Sequence, residues 1–303
     1  MRVGLSAGDL STLADDARYA ESLGFDDVAC GEHAFFHGSV PNAFVALAAA
    51  AGATSTVRLV SAISLAPLYP AALFAKLVAS LDVVSGGRFE LGLGAGGEYP
   101  PEFEACGIDP ATRFRRLEES VTVCRLLFGG GPVDFDGEFS HLHGVVLDPL
   151  PAQRPGPPIW MAGRKGKALE RVGRLADVWL PYMVSPEMVA DGLARVHASA
   201  AEEGRPPGSV SGAVFAWTCT DADGDWARRT GIDTVSAIYQ QDFARLADRY
   251  LLVGTPAQII ERVGEYVAAG VERVIMAVAA GDADRRRVVE TIAEDVLPAL
   301  SKL

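Results

Sequence analysis

Short apolar runs alternate along the chain with longer stretches in which apolar side chains recur every three to four positions. Runs of four to eight bounded by turns read as buried strands, and the 3.6-residue recurrence reads as amphipathic helices. The first run is Arg2–Leu5. Asp9 is placed to cap a helix with an apolar face of Leu10, Leu13, Ala17 and Ala20, and Gly24 is placed to stop it. Asp27–Gly31 is a second strand, Ala43–Ala53 an Ala-rich helix, Arg58–Leu65 a third strand and Pro70–Val84 a helix. Arg88–Leu93 is the fourth strand, between a Gly86-Gly87 turn and the glycine run Gly94–Gly97, and Arg113–Phe128 is a strongly patterned helix.

Gly129–Pro157 breaks the rhythm with a hairpin around Asp136-Gly137 and a proline-rich tail. The alternation resumes with strands at Ile159–Ala162, Asp177–Leu180, Val210–Thr218 and Glu272–Val278. Helices follow from about Gly166, from Ser185-Pro186 as cap and first position, from the capping box Thr255-Pro-Ala-Gln258, and over Arg285–Leu300. Asp221–Tyr250 is too long for a connector and forms a second excursion. Eight strand–helix units predict a parallel sheet, and their spacing predicts one (β/α)8 TIM-barrel domain over residues 1–303. Its insertions follow the fourth helix and the seventh strand. An open doubly wound sheet is the alternative, but no dinucleotide fingerprint follows the first strand.

Composition narrows the function. A net charge of −12 argues against a general binder of nucleic acid or membrane surfaces. The four cysteines are scattered, with no Cys-x-x-Cys, and read as reduced residues of a cytoplasmic protein. No signal peptide and no long apolar span is visible.

In a barrel, chemistry gathers where strands end and helices begin. Those corners hold Glu32-His33, Ser61-Ala-Ile-Ser64, Gly94–Gly97, Gly163–Gly166, Pro181-Tyr182, Trp217 and Ala279-Ala-Gly281. His33 is the one histidine at a strand's carboxyl end, and imidazole suits proton transfer near neutral pH. The competing reading is a hydrogen-bonded structural histidine. The glycine run lets backbone approach a flat or phosphorylated ligand. Gly163-Arg-Lys-Gly166 precedes a helix, where free N–H groups, the helix dipole and two cations make a phosphate cradle. His141-x-His143 lacks further ligands for a metal site, and no metal is expected.

Five segments, in order along nearly the whole chain, carry a resemblance. They are Val28-Ala-Cys-Gly-Glu-His33, Ser85–Gly96, Val133–Phe139, Pro158–Gly163 and Val253-Gly-Thr-Pro256. Together they resemble the bacterial luciferase-like family of FMN-dependent monooxygenases and coenzyme F420-dependent oxidoreductases. The resemblance implies that His33 lies beside the reactive edge of the flavin or deazaflavin ring. It implies that Ser61 and Ala62 form a bulge backing the ring, with a cis or strained Ser61–Ala62 peptide. Gly94, Ala95, Gly96 and Gly97 would flank the ring, and Gly163, Arg164, Lys165 and Gly166 would hold the phosphate. Gly97 stands where the sugar-phosphate dehydrogenases of the family carry a carboxylate, which argues against their substrate.

The expected activity is hydride transfer between coenzyme F420 and a small organic substrate. The hairpin near Asp136 and the Asp221–Tyr250 stretch are expected to wall the substrate side. The alternatives are an FMN-dependent monooxygenase using a separate flavin reductase, and a non-catalytic flavin-binding barrel; a flavin or F420 reductase is the protein partner to expect. A homodimer is expected through the Ala-, Leu- and Val-rich helices Ala43–Ala53 and Pro70–Val84, with no nucleic-acid or membrane partner.

Overall fold

A computed structural model describes residues 1–7 and 9–303. Its barrel strands are β1 (Arg2–Ser6), β2 (Asp27–Cys30), β3 (Arg58–Ser61) and β4 (Phe89–Gly94), then β5 (Ile159–Met161), β6 (Val178–Trp179), β7 (Ser211–Thr220) and β8 (Val271–Val278). Neighbours follow chain order from β1 to β6, β7 pairs with both β6 and β8, and β8 returns to β1. The result is a closed eight-stranded parallel TIM barrel with alternating helices, as the pattern predicts. The chain divides into two compact units: Met1–Ser6 with Tyr19–Val28 and Gly163–Leu303, and Ala7–Arg18 with Ala29–Ala162.

In the unit containing Ala29–Ala162, the helices are α2 (Ala43–Ala53), α3 (Ala71–Val84), α4 (Pro100–Ala105) and α5 (Arg113–Phe128). Its core is aromatic and branched: Phe74, Phe89, Phe103, Leu47, Leu59, Leu91, Leu93 and Trp160 are almost fully buried. Phe44 sits edge-on to Phe74 at 5.4 Å. Glu90 points into this core, where it accepts from Trp160 Nε1 at 2.7 Å and pairs with Arg58. A buried charge is kept only with such partners. Gly86 and Gly87 take φ of +66° and +79° in the turn before β4. The Arg88 side chain that follows satisfies the carbonyls of Ala51 in the last turn of α2 and of Thr54 and Val57 beyond it, at 2.8 to 3.1 Å.

The third strand departs from its predicted span. It breaks after Ser61 and resumes as Ser64–Leu65, and the non-proline cis peptide is Ala62–Ile63, one bond beyond the expected position. Ser61 is held in the sheet: its hydroxyl accepts from Gly92 N at 2.9 Å and donates to Gly92 O at 3.0 Å. The irregularity therefore starts after it. The first helix also begins later than predicted, at Leu13; Asp9 instead accepts from Ser11 N, and Leu10 is 51% exposed.

Both predicted insertions are present. Val133–Asp136 pairs antiparallel with His141–Val145, and the hairpin tip rests on α5, where the Glu119 carboxylate accepts from Glu138 N (2.8 Å) and Phe139 N (3.1 Å). After β7, in the other unit, α8 (Gly224–Tyr239) and α9 (Ala247–Tyr250) lead to a short strand, Leu252–Gly254, that pairs parallel with the end of β7. The hydrophobic pattern does not predict that strand. The same unit holds α6 (Lys167–Leu175), α7 (Pro186–Glu202) and α10 (Pro256–Ala268). Gly173 lets α6 approach the Val196 carbonyl of α7, and Gly192 lies against the ring of Trp179. The predicted capping box is in place, with Thr255 N donating to Gln258 Oε1 at 2.8 Å. The closing helix starts at Asp282, and among the described residues no helix is long and apolar enough to cross a membrane.

Candidate active site

β2 ends at Cys30, and the next residues turn out of the sheet as loop 31–42. Ala62 N donates to the Cys30 carbonyl at 2.8 Å, which ties this exit to the break in β3. Glu32 and His33 then diverge. Glu32 is 4% exposed and accepts from Tyr69 OH at 2.5 Å, Asn42 Nδ2 at 2.6 Å and Leu65 N at 2.9 Å. Burial pushes its carboxyl above the usual range, while these hydrogen bonds oppose the rise. Asn42 also caps α2 through Val45 N at 3.1 Å. Glu32 is thus a staple joining strand exit, helix cap and bulge, rather than a free proton donor.

His33 keeps 17% of its side chain exposed. Its Nδ1 lies 3.2 Å and 3.3 Å from the two oxygens of Glu102. Glu102 is fully buried in α4 and also accepts from Ala34 N at 2.6 Å. Phe36 stacks on the imidazole at 4.2 Å between centroids with the planes 19° apart, and Tyr99 and His37 meet edge-on at 4.9 Å. Sequence reasoning missed Glu102. Glu98, Glu102 and Glu104 look alike in the sequence; the usable signal is that Glu102 immediately precedes a buried Phe103 at the start of a Pro-Pro helix.

The small residues predicted beside a ligand divide into two kinds. Ser61 is fully buried and its hydroxyl is taken up by Gly92. Gly94 is buried, and a Cβ there would overlap Ile63 Cδ1, so this glycine makes room for the protein's own side chain. Ala62, Ala95 and Gly96 are half-buried and Gly97 is exposed, at the ends of β3 and β4. Gly96 and Gly97 have φ of +63° and +108°. A Cβ at Gly97 would stand 3.0 Å from Arg113 Nε, a buried atom with no hydrogen-bond partner among the described residues. α5, which begins with Arg113, also carries the hairpin tip, so the first insertion attaches beside this glycine loop.

In the other unit, the predicted turn Gly163–Gly166 leads into α6. Gly163 has φ +133°, and a Cβ there would strike Ala168 at 2.6 Å. Gly166 is the N-cap of α6 with φ +50° and no side-chain cap, and nothing lies within 4 Å of where its Cβ would be. Arg164, Lys165 and Lys167 are exposed. Arg164 is partly engaged: Nη1 donates to the Met183 carbonyl at 3.2 Å, and the guanidinium lies 5.3 Å over the Tyr182 ring. Trp217 Nε1 donates to Tyr239 OH at 3.3 Å, so the second insertion packs on this strand-end tryptophan.

Other chemistries find little here. Cys30, Cys124 and Cys219 are buried thiols pushed up to about 12, so none is a ready thiolate. No group of three metal-ligating side chains occurs among the described residues, and His141 pairs with Asp136 on the exposed hairpin.

The fold and strand-end residues define a TIM-barrel protein with an imidazole–carboxylate pair past the end of one strand and an open helix N-terminus flanked by cations past the end of another. Residues 2–273 match the model of the luciferase-like monooxygenase family, and the chain belongs to that family. It is 26% identical to a 5,10-methylenetetrahydromethanopterin reductase from Archaeoglobus fulgidus, over 93% of this chain and 94% of that protein. It is 27% identical to an FMNH(2)-dependent dimethylsulfone monooxygenase from Pseudomonas putida, over 83% and 76%. Its fold matches that of an F420-dependent secondary alcohol dehydrogenase crystallised with an F420-acetone adduct, with a TM-score of 0.86, 21% identity and coverage of 99% and 98%.

Proposed function

We propose that this protein is an oxidoreductase passing a hydride between coenzyme F420 and a small organic substrate, with His33 exchanging the accompanying proton. The observation that carries the reading is the partly exposed imidazole of His33, seated at a strand end on the fully buried carboxylate of Glu102. The reductase relative, alike over nearly its whole length, supports hydride transfer.

The residues fit such a cofactor. Ala62, Ala95, Gly96 and Gly97 are small, accessible strand-end positions suited to a flat ring. The uncapped N-terminus of α6, with Arg164 and Lys165 before it, suits a phosphate. When bound, the deazaflavin supplies or accepts the hydride. His33 then gives a proton to, or takes one from, the substrate atom where charge develops. Backbone N–H groups of the Gly163–Gly166 turn orient the phosphate, and the two cations balance its charge.

A second reading, FMN-dependent monooxygenation with a separate reductase as partner, draws on the Pseudomonas putida relative. Fluorescence titration of the purified protein with F420 and with FMN separates the two. Saturable F420 binding is expected. Saturation by FMN with no response to F420 would overturn the reading. We further propose a homodimer through α2 and α3, whose outer faces expose Val45 (64%), Leu73 (51%) and Val84 (61%). Light scattering at micromolar concentration should give twice the monomer mass; a monomer mass would remove this claim.

A further inference from the structure

We propose that Glu102 is a positioning residue that fixes His33 as its Nδ1–H tautomer, leaving Nε2 as the atom that takes and gives the proton. The proposal rests on the role given to His33 above. Glu102 Oε1 accepts from Ala34 N at 2.6 Å and Phe35 N at 3.3 Å, and both carboxylate oxygens face His33 Nδ1. A carboxylate offers lone pairs only, so the neutral ring must carry its proton on Nδ1 to bond with it. Nε2 then holds the lone pair. The stack on Phe36 holds the ring plane. During substrate oxidation, the substrate O–H bond breaks and its proton forms an N–H bond at Nε2. The deazaflavin, when bound, would take up the hydride from the adjacent carbon. Reduction runs the same bonds in reverse, with the imidazolium returning the Nε2 proton.

Glu102→Gln relaxes this constraint with little change in shape. The amide oxygen keeps the Ala34 and Phe35 N–H bonds, and the NH2 group takes the place of Oε2. Nδ1 then faces an amide donor at the former Oε2 position beside the retained amide oxygen, so the preference for a proton on Nδ1 is relaxed and the Nε2–H form gains population. The test is nitrogen NMR of the full chain labelled in its histidines, at alkaline pH where imidazole is neutral. His33 is identified by the signals that disappear in His33→Asn. The wild type should show Nδ1 protonated, and Glu102→Gln should show the proton shifted toward Nε2 with its melting temperature nearly kept. In the variant, hydride-transfer turnover should fall on the order of 10²-fold or more while F420 affinity is retained. An Nε2–H tautomer in the wild type, or an unchanged tautomer in Glu102→Gln, would overturn the proposal. Should the variant not fold, the wild-type spectrum decides alone. Failure of the F420 reading would appear separately, as no binding or turnover of F420 by the wild type, with the tautomer result still standing.

Discussion

The contact between Gly92 and Ser61 permits a sharp test of how the strand ends are built. In Gly92→Ala, the new methyl group would overlap the Ser61 carbonyl oxygen, stand 3.0 Å from its carbon and 3.3 Å from Ile63 Cγ2. The obstacle is backbone in a parallel ladder, which cannot swing away like a side-chain tip. Overpacking of this kind costs about 1–3 kcal/mol and sometimes more. Moving Ser61 also breaks its two buried hydrogen bonds to Gly92, each contributing about 0.5–1.5 kcal/mol. The expected loss is about 3–5 kcal/mol. At about 2–3 °C per kcal/mol for a chain of this size or slightly smaller, the melting temperature should fall by about 6–15 °C. Gly94→Ala is the internal control. Its methyl group would meet the tip of Ile63, which can rotate, so the loss should be clearly smaller. Ser61→Ala removes the same two bonds without the clash, so the double variant Gly92→Ala/Ser61→Ala should lose less than the sum of the singles. Urea and thermal unfolding of the wild type and the four variants measure this. A Gly92→Ala loss below about 1 kcal/mol, or one equal to that of Gly94→Ala, would refute the reasoning.

Two further outcomes are expected. Replacing Arg164 and Lys165 together with Ala should weaken F420 binding by about 1–3 kcal/mol, with some affinity kept by the backbone donors, and unchanged affinity by fluorescence titration would place the phosphate elsewhere. Glu32 has its folded pKa raised above the ordinary 4.5, chiefly by burial, so the folded state holds its proton more tightly than the unfolded state and stability falls as pH rises from that value through the folded one. Glu32→Gln removes this titration, so the wild-type minus variant difference in unfolding free energy should decline across that interval; a flat difference would remove Glu32 as its source.

The barrel is legible in the sequence because each strand is a compact apolar run and each corner carries local chemistry, such as Gly24 at φ +87° and the Thr255–Gln258 capping box. These signals act within a few residues. What escapes depends on distant partners. The break after Ser61 is fixed by Gly92, 31 positions away, and Glu102 is buried because loop 33–35, nearly 70 positions earlier, supplies its hydrogen bonds. The glycine run suggests room for a ligand, yet Gly92 and Gly94 accommodate Ser61 and Ile63. Gly96, half-buried, and Gly97, exposed, have the positive φ that suits a ligand-facing loop. The short strand Leu252–Gly254 has too few residues to show a period, and its pairing with β7 defines it.

The central claim is that His33 exchanges the proton that accompanies hydride transfer. The most direct measurement is single-turnover hydride transfer by His33→Ala, shown to be folded and saturated with F420, against the wild type. General acid–base help is typically worth about 10²–10⁴ in rate, so the variant should be slower by that order while binding the cofactor with little change. His33→Asn, which can keep a hydrogen bond but cannot exchange a proton, should fall between them. Full single-turnover activity in His33→Ala would contradict the account and leave this histidine as a packing residue.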